Sequence, residues 1–276
     1  MNKVTRFLLV AAVLWASDAR AASFVFSDFS DVSQLQLNGD AQQAGSVLRL
    51  TPSLPSQSGT AFYETVIALS ADYSFSTFFS FQITAPGGIG DGDGQGADGI
   101  TFIVQTNSNT AGSAGGGIGY QDIPNSVAVE YDTYNNGLGV NDPDGNHIGV
   151  DLGGSIASAI VAPVVPRLNG GDIFYSWIDY NGATNALEVR LSTTAARPVA
   201  PFLAYIVDLE AQLGVPNAYV GFGSGTGSGF GNHDILAWEF RDEFDPIDPS
   251  VPEPATLSLL GLGSLAMAGL RRRRRQ

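Results

Sequence analysis

Between residues 74 and 84 polar and apolar positions alternate: Phe75, Thr77, Phe79, Phe81 and Ile83 stand between Ser74, Ser76, Phe78, Ser80, Gln82 and Thr84. A period of two places each set on its own side of an extended chain, so the pattern predicts a strand mostly buried on one face. Runs of the same kind recur at 46–51, 99–105, 173–180, 187–191, 218–222 and 235–240, separated by Gly-rich and Ser-rich stretches that read as turns. Asn181-Gly182, between two of the runs, marks a hairpin turn. A short helix is predicted over 207–213, ended by Gly214 and Pro216. Strands and helices do not alternate along the chain, which argues against a parallel sheet. The expected fold is all-β, one large antiparallel sandwich.

The ends of the chain follow different patterns. Lys3 and Arg6 precede the apolar run Phe7-Leu-Leu-Val-Ala-Ala-Val-Leu-Trp15, and Ala19-Arg20-Ala21 supplies a small-x-small cleavage site. Residues 1–21 therefore read as a secretory signal peptide, with the mature chain starting near Ala22. At the other end Val251-Pro252-Glu253-Pro254 is followed by an apolar run over 255–270 and by Arg271 to Arg275. The run is slightly short for a hydrocarbon core of ~30 Å, and the arginines would stay cytoplasmic. A plain tail anchor is one reading. The tripeptide placed directly before an apolar run and an arginine end resembles the PEP-CTERM sorting signal of Gram-negative bacteria, here 252–276. That resemblance implies transient inner-membrane insertion, processing by the protease exosortase, and release to the cell envelope or an extracellular exopolysaccharide matrix.

Removal of both segments changes the charge. Eight of the 13 basic residues lie in them, leaving five arginines, whereas 25 of the 27 acidic residues remain. Residues 22–251 then carry about −20, which excludes nucleic acid as a partner and suits surroundings rich in calcium. The chain has no cysteine, so thiol chemistry is excluded, and a domain of about 220 residues buries enough apolar area without disulfides.

The densest chemistry lies in Ser126-Val-Ala-Val-Glu130-Tyr-Asp132-Thr-Tyr134-Asn-Asn136, followed by Asn141-Asp142-Pro-Asp-Gly-Asn-His147-Ile-Gly-Val-Asp151. Alternation makes 126–134 a strand, so Glu130, Asp132 and Tyr134, two apart, share a face. A loop of Asn, Gly, Asp and Pro leads through Asp142 to His147, which opens a second alternating run. Carboxylate, amide and carbonyl oxygens suit calcium, and carboxylates with one imidazole suit manganese or another transition metal. Read apart from the flanking Glu-x-Asp and His, the loop is ordinary turn chemistry.

The string VAVEYDTYNN…NDPDGNHIGVDL resembles the metal-binding signature of legume-type (L-type) lectins. By that resemblance Glu130, Asp132, Asp142 and His147 would take a transition metal, Mn2+ by preference. Ca2+ would take Asp132 and Asp142 as shared ligands, Asn136 through its side chain and Tyr134 through its main-chain carbonyl. The loop from Asp132 to Asp142 is one residue longer than in typical plant members. Ser58-Gly-Thr-Ala-Phe-Tyr63, Ala97-Asp98-Gly99-Ile100, Trp177-Ile-Asp-Tyr-Asn-Gly182 and His233-Asp-Ile-Leu-Ala-Trp238 look like further strand signatures in the family's order. The resemblance implies a jelly-roll, concanavalin A-like sandwich over 22–242. Residues 243–251, acidic and Pro-containing, read as a linker whose composition argues against packing.

In that family a sugar binds beside the calcium. Asp98 matches the acidic residue that accepts from sugar hydroxyls, after a cis bond, and Asn136 the amide that donates to one. Gly116 or Gly117, in Gly115-Gly-Gly-Ile-Gly119, matches a main-chain N–H donor. Tyr134 would offer its ring to the sugar's apolar face, and the loop 223–232 would complete the pocket. Singly, each is also an ordinary turn or flexible loop. Gly90-Asp-Gly-Asp-Gly-Gln-Gly96 reads as a solvated loop and His233 as structural.

A jelly-roll glycoside hydrolase is the enzyme alternative, because Glu-x-Asp-x-x-Glu on a strand occurs in such enzymes. The third acid of that pattern is replaced by Asn135, which removes the acid/base that retaining hydrolysis needs. The chain is read as no enzyme but a metal-dependent, polysaccharide- or glycan-binding lectin. The remaining alternative is a structural matrix protein that keeps the metals without sugar recognition.

Overall fold

The computed structural model describes residues 23–70, 72–112 and 115–249; the expected signal peptide and the sorting segment lie outside the described residues. Two eight-stranded antiparallel sheets and a small two-stranded hairpin make up the molecule. The first sheet runs Leu203–Ile206, Ala186–Ser192, Ile173–Asn181, Phe75–Gly88, Gly229–Arg241, Val47–Thr51, Gln42–Ala44, with Ser23–Phe26 also paired to Gly229–Arg241. The second runs Ile160–Pro163, His147–Leu152, Ser126–Asp132, Gly99–Gln105, Asn217–Gly225, Ser58–Tyr63, Leu35–Gly39, with Ile67–Ala68 beside Asn217–Gly225. The expected antiparallel sandwich is what forms.

The inner faces follow the alternation. Phe75, Phe79, Phe81 and Ile83 from one sheet join Ile100, Phe102, Val104, Val127, Val129, Tyr131 and Phe222 from the other in a single buried cluster. Phe79 and Phe222 meet edge-on across the interface, with ring centroids 5.0 Å apart. Each such phenylalanine contributes roughly 2–3 kcal/mol by leaving water. Because Val127, Val129 and Tyr131 point inward, Ser126, Glu130 and Asp132 must point outward, and the inner packing therefore fixes the register of the functional face.

Four local expectations change. The strand over 126–134 stops at Asp132, because its carboxylate accepts the Tyr134 N–H at 2.6 Å and turns the chain; Tyr134 thus lies in the loop. The helix is Leu209–Leu213, since Asp208 caps it by accepting from the Ala211 N–H, and Gly214, at φ +77°, ends it. Gly90–Gly96, solvated for the most part as expected, is ordered as a hairpin of Gly90–Asp91 against Gly94–Gln95. Lastly, the segment after 242 packs: Ile247 is buried against Phe78 and Trp177 on the outer face of the first sheet, and the Asp245 N–H donates to Ser76 Oγ. One apolar side chain with an aromatic patch to cover outweighs the local composition.

Among the described residues no helix is long and apolar enough to cross a membrane.

Candidate functional site

The site grows on the outer face of the second sheet. Ser126–Asp132 pairs with His147–Leu152 so that Asp132 lies opposite His147, Glu130 opposite Gly149 and Ala128 opposite Asp151. Ile148 and Val150 point into the core, which sends His147, Gly149 and Asp151 outward beside Glu130 and Asp132. Glycine is required at 149, since a Cβ there would overlap Glu130 Oε1 and Ser158 Oγ. The loop between the strands folds back to bring in Asp142, whose Oδ2 accepts the Asn136 N–H at 2.6 Å.

Asp132, Asp142 and His147 each offer a ligand atom within 4.8 Å of the others, and all three are buried. Glu130 joins them, with Oε1 3.7 Å from His147 Nε2; Asp142 Oδ1 lies 3.6 Å from the same nitrogen. His147 Nδ1 lies 3.0 Å from the Asp144 carbonyl, and a proton on Nδ1 donated to that oxygen leaves Nε2 with its lone pair free. Nε2 is buried and has no hydrogen-bond partner. A neutral imidazole so oriented, facing three carboxylates, is a donor set that fits a divalent cation.

The electrostatics point the same way. Burial, then the neighbouring Glu130 and Asp142, push the Asp132 carboxyl well above the usual range. Burial and Glu130 do the same to Asp151, and burial raises Asp142. Burial alone would lower His147, yet Glu130 and Asp142 reverse it and raise the imidazole. None of the arginine ion pairs of the described residues reaches these acids. Buried carboxylates with no matching cation cost several kcal/mol each unless protonated.

Asp98 enters from the neighbouring strand. Gly99 pairs with Asp132, and the Asp98 carbonyl accepts the Thr133 N–H at 3.0 Å. The Ala97-Asp98 bond is cis, as the resemblance implied. Asp98 is buried, its Oδ2 has no partner, and burial raises its carboxyl to about 7 against the pull of the Gly227 N–H. Gly116 abuts the Asn136 amide: a Cβ on Gly116 would sit 2.6 Å from Asn136 Nδ2. Gly117 is buried in a turn of 3-10 helix, Gly115–Gly117, and its carbonyl accepts from Tyr120 and Gln121. Of the two glycines, Gly116 is the one beside the Asn136 side chain. A Cβ on Gly227, in the last loop, would lie 3.6 Å from Asp98 Oδ2.

Some participants escaped the sequence reading. Ser158 Oγ donates to Asp151 Oδ1 at 2.7 Å and also contacts Glu130 Oε1, tying the two acids together. Asp151 was legible, since it continues the outward period of His147 and Gly149. Ser158 had no local signal. Behind Asp98, Thr51 Oγ1 lies 2.8 Å from His233 Nδ1 and 3.0 Å from Ser224 Oγ, which donates to the Gly99 carbonyl at 2.8 Å. One proton order satisfies all three: His233 N–H to Thr51, Thr51 to Ser224, Ser224 to Gly99. Burial lowers His233 to about 3, so it stays neutral and structural, as expected.

Known proteins resemble this chain in sequence and fold. Residues 21–254 match the legume lectin domain, and 250–275 the PEP-CTERM protein-sorting motif. The L-type lectin-domain containing receptor kinase VIII.1 of Arabidopsis thaliana is 30% identical over 260 residues, 88% of this chain and 35% of that protein. The chain spans about a third of the length of such receptor kinases. Lectin DB58 of Vigna unguiculata subsp. cylindrica is 32% identical over 272 residues, 91% of this chain and 93% of the lectin. Among solved structures, the lectin from Bauhinia forficata in complex with GalNAc superposes with a TM-score of 0.68 at 25% identity, covering 80% of this chain and 97% of its own. The legume lectins are non-enzymatic carbohydrate-binding proteins, so the hydrolase alternative falls. The chain belongs to the legume lectin domain family and carries a C-terminal PEP-CTERM sorting motif.

Proposed function

We propose that the protein is an exported, metal-dependent carbohydrate-binding protein that acts at the cell envelope or in an exopolysaccharide matrix. Glu130, Asp132, Asp142 and His147 would hold a transition metal such as Mn2+, and Asp132, Tyr134, Asn136 and Asp142 would hold Ca2+. The observation that carries this reading is the buried Nε2 of His147, without a hydrogen-bond partner and aimed at Asp142 and Glu130 in a cluster of acids that none of the described arginines neutralises. Bound cations would remove the cost of those buried charges. Asp98, Asn136 and the Gly116 edge, with the Tyr134 ring, would then receive the sugar.

Single-site affinity should fall in the micromolar to millimolar range, with repeated presentation in a matrix supplying avidity. The sorting motif supports export and exosortase processing. Retention on immobilised polysaccharide, measured with calcium and manganese present, should vanish with chelator and return when the metals are restored. Asp98→Ala should lose retention by about a hundredfold, since a buried charged acceptor is worth roughly 1.5–3 kcal/mol per hydrogen bond, while its metal-induced rise in Tm persists. Retention unaffected by chelator would sink the reading. A chelator-sensitive Tm with no hit on a glycan array would favour the matrix-protein alternative.

A further inference from the structure

The hairpin Gly90–Gln95, largely exposed, nevertheless touches the loop that leads from Asp132 to His147. Asp91 Oδ2 accepts the Asn135 N–H at 2.8 Å, and Asp93 Oδ2 accepts the Gly145 N–H at 3.0 Å. Asn135 directly precedes Asn136, and Gly145 lies two residues before His147. The two carboxylates therefore grip the loop near both its ends. The approach is close enough that a Cβ on Gly145 would overlap the Asp91 carboxylate, so glycine at 145 is a condition of the contact.

The hairpin is itself held from behind. Asp91 Oδ1 accepts the Asp93 N–H at 2.9 Å, closing the turn. Asn169 Nδ2 and Arg167 Nη2 donate to the Gln95 carbonyl at 3.3 and 3.4 Å, and the Arg167 guanidinium lies against Gly94. At its base the Ile89 N–H donates to Ser228 O at 3.1 Å, in the loop that borders Asp98. An arm fixed at its base and back presents two acceptors to the loop.

We infer that Asp91 and Asp93 are positioning residues that pin the Asn135–Gly145 loop in its binding shape before any cation arrives. A loop ordered in advance loses less conformational entropy on binding, which raises affinity without adding a ligand. The pin acts through hydrogen-bond acceptance; Asp91 accepts through both its oxygens and Asp93 holds the Gly145 N–H through one, so an amide can stand in at 93 but not at 91. Its effect on calcium rests on the metal-binding reading given above.

The test compares Asp91→Ala, Asp93→Ala, Asp93→Asn and Gly145→Ala in the full chain, with two measurements. The first is amide hydrogen exchange at Asn135 and Gly145 in the metal-free protein. Asp91→Ala should speed exchange at Asn135 by about tenfold or more, and Gly145→Ala should do the same with Asp91 intact, because the added methyl displaces the carboxylate. Asp93→Ala should speed exchange at Gly145 by about tenfold, Asp93→Asn much less, and Ile103 and Val129 should remain protected in every variant. The second is titration with calcium alone: the Kd should rise about tenfold in Asp91→Ala and Gly145→Ala, less in Asp93→Asn than in Asp93→Ala, and no further in the Asp91→Ala/Gly145→Ala double variant. Unchanged exchange at Asn135 in Asp91→Ala overturns the pin. Equal weakening by Asp93→Asn and Asp93→Ala also overturns it, because the effect would then be only that of charge. Should the wild-type chain bind no calcium, the metal reading fails, and the exchange data alone decide the pin.

Discussion

Each sheet carries a buried acid on its outer face, and the two are neutralised in opposite ways. On the first sheet Asp179 is paired by Arg190 and Arg197, with Arg190 Nη1 3.3 Å from Asp179 Oδ2 and Glu188 accepting from the same arginine at 2.7 Å. On the second, His147 faces Glu130 and Asp142, and no arginine ion pair of the described residues reaches these two, Asp132 or Asp151. Burial raises Asp179, but Arg197, Ser76 and Arg190 each pull it back. Burial and like charge act together on Asp132 and Asp151. The first cluster is electrically complete as the chain folds. The second needs protons or cations from outside, and that difference separates a structural ion pair from a binding site more sharply than the residue types do.

The widest separation between the clusters should come from metal and pH together. An acid whose folded pKa is raised keeps its proton after the unfolded chain has lost it, so stability falls as pH climbs from near 4 toward the folded value. For Asp98 that value is about 7, and Asp132, Asp142 and Asp151 have the same sign. The raised His147 extends the loss above its ordinary value near 6.5. Metal-free protein should therefore melt at a higher temperature at pH 5 than at pH 8. At pH 8, metal at about a thousand times its Kd should add roughly 4 kcal/mol, or about 10 °C in Tm. At pH 5 the gain should shrink, because protons compete for the same atoms. Calorimetry across this range checks both signs. A metal gain independent of pH would mean that cations bind elsewhere.

One substitution made in both clusters should have opposite results. Asp179→Asn leaves Arg197 buried without its counter-charge and Arg190 with Glu188 alone, and should cost about 3 kcal/mol, with or without metal. Asp132→Asn removes one of several crowded carboxylates, so the metal-free protein should become more stable, while the metal-induced rise in Tm disappears. Urea denaturation of both variants, each with chelator and with metal, gives the four values needed. Destabilisation of the metal-free protein by Asp132→Asn would show that the acids are already neutralised within the chain.

The site was legible wherever it rode on strand periodicity. Glu130 and Asp132 are two apart on a strand whose other face is Val127, Val129 and Tyr131, and His147 opens the paired strand, so alternation alone turned all three outward. Asp151 obeyed the same rule and needed only the period carried two residues further. Ser158 was not legible, because its contact with Glu130 spans 28 positions and depends on where a loop falls. The pins from Asp91 and Asp93 were hidden for the same reason: Asp and Gly in alternation give a turn its shape but do not say what the turn touches. Ile247 failed differently. A single apolar residue among acids and prolines has no period, and its partners Phe78 and Trp177 face outward from two strands far away in sequence.

Ile247 also allows the smallest of these tests, one that asks whether the two outer faces are independent. Its side chain closes over Phe78 and Trp177, with Tyr175 at the edge, and the Arg241–Asp245 ion pair at 2.6 Å helps to hold the strap. Ile247→Ala removes the buried methyl groups but leaves a surface segment free to settle, so the cost should fall near the low end for such truncations, about 2 kcal/mol. Asp245 is largely solvated, and the pair adds little. The second sheet's site lies on the opposite outer face and shares no partner with the strap, so calcium affinity and polysaccharide retention should stay within about twofold of wild type. A variant that melts earlier but binds unchanged establishes the faces as separate energetic units. Lowered calcium affinity in Ile247→Ala would instead require strain to pass through the core between Trp177 and Asp132, and the clusters contrasted above would then be coupled.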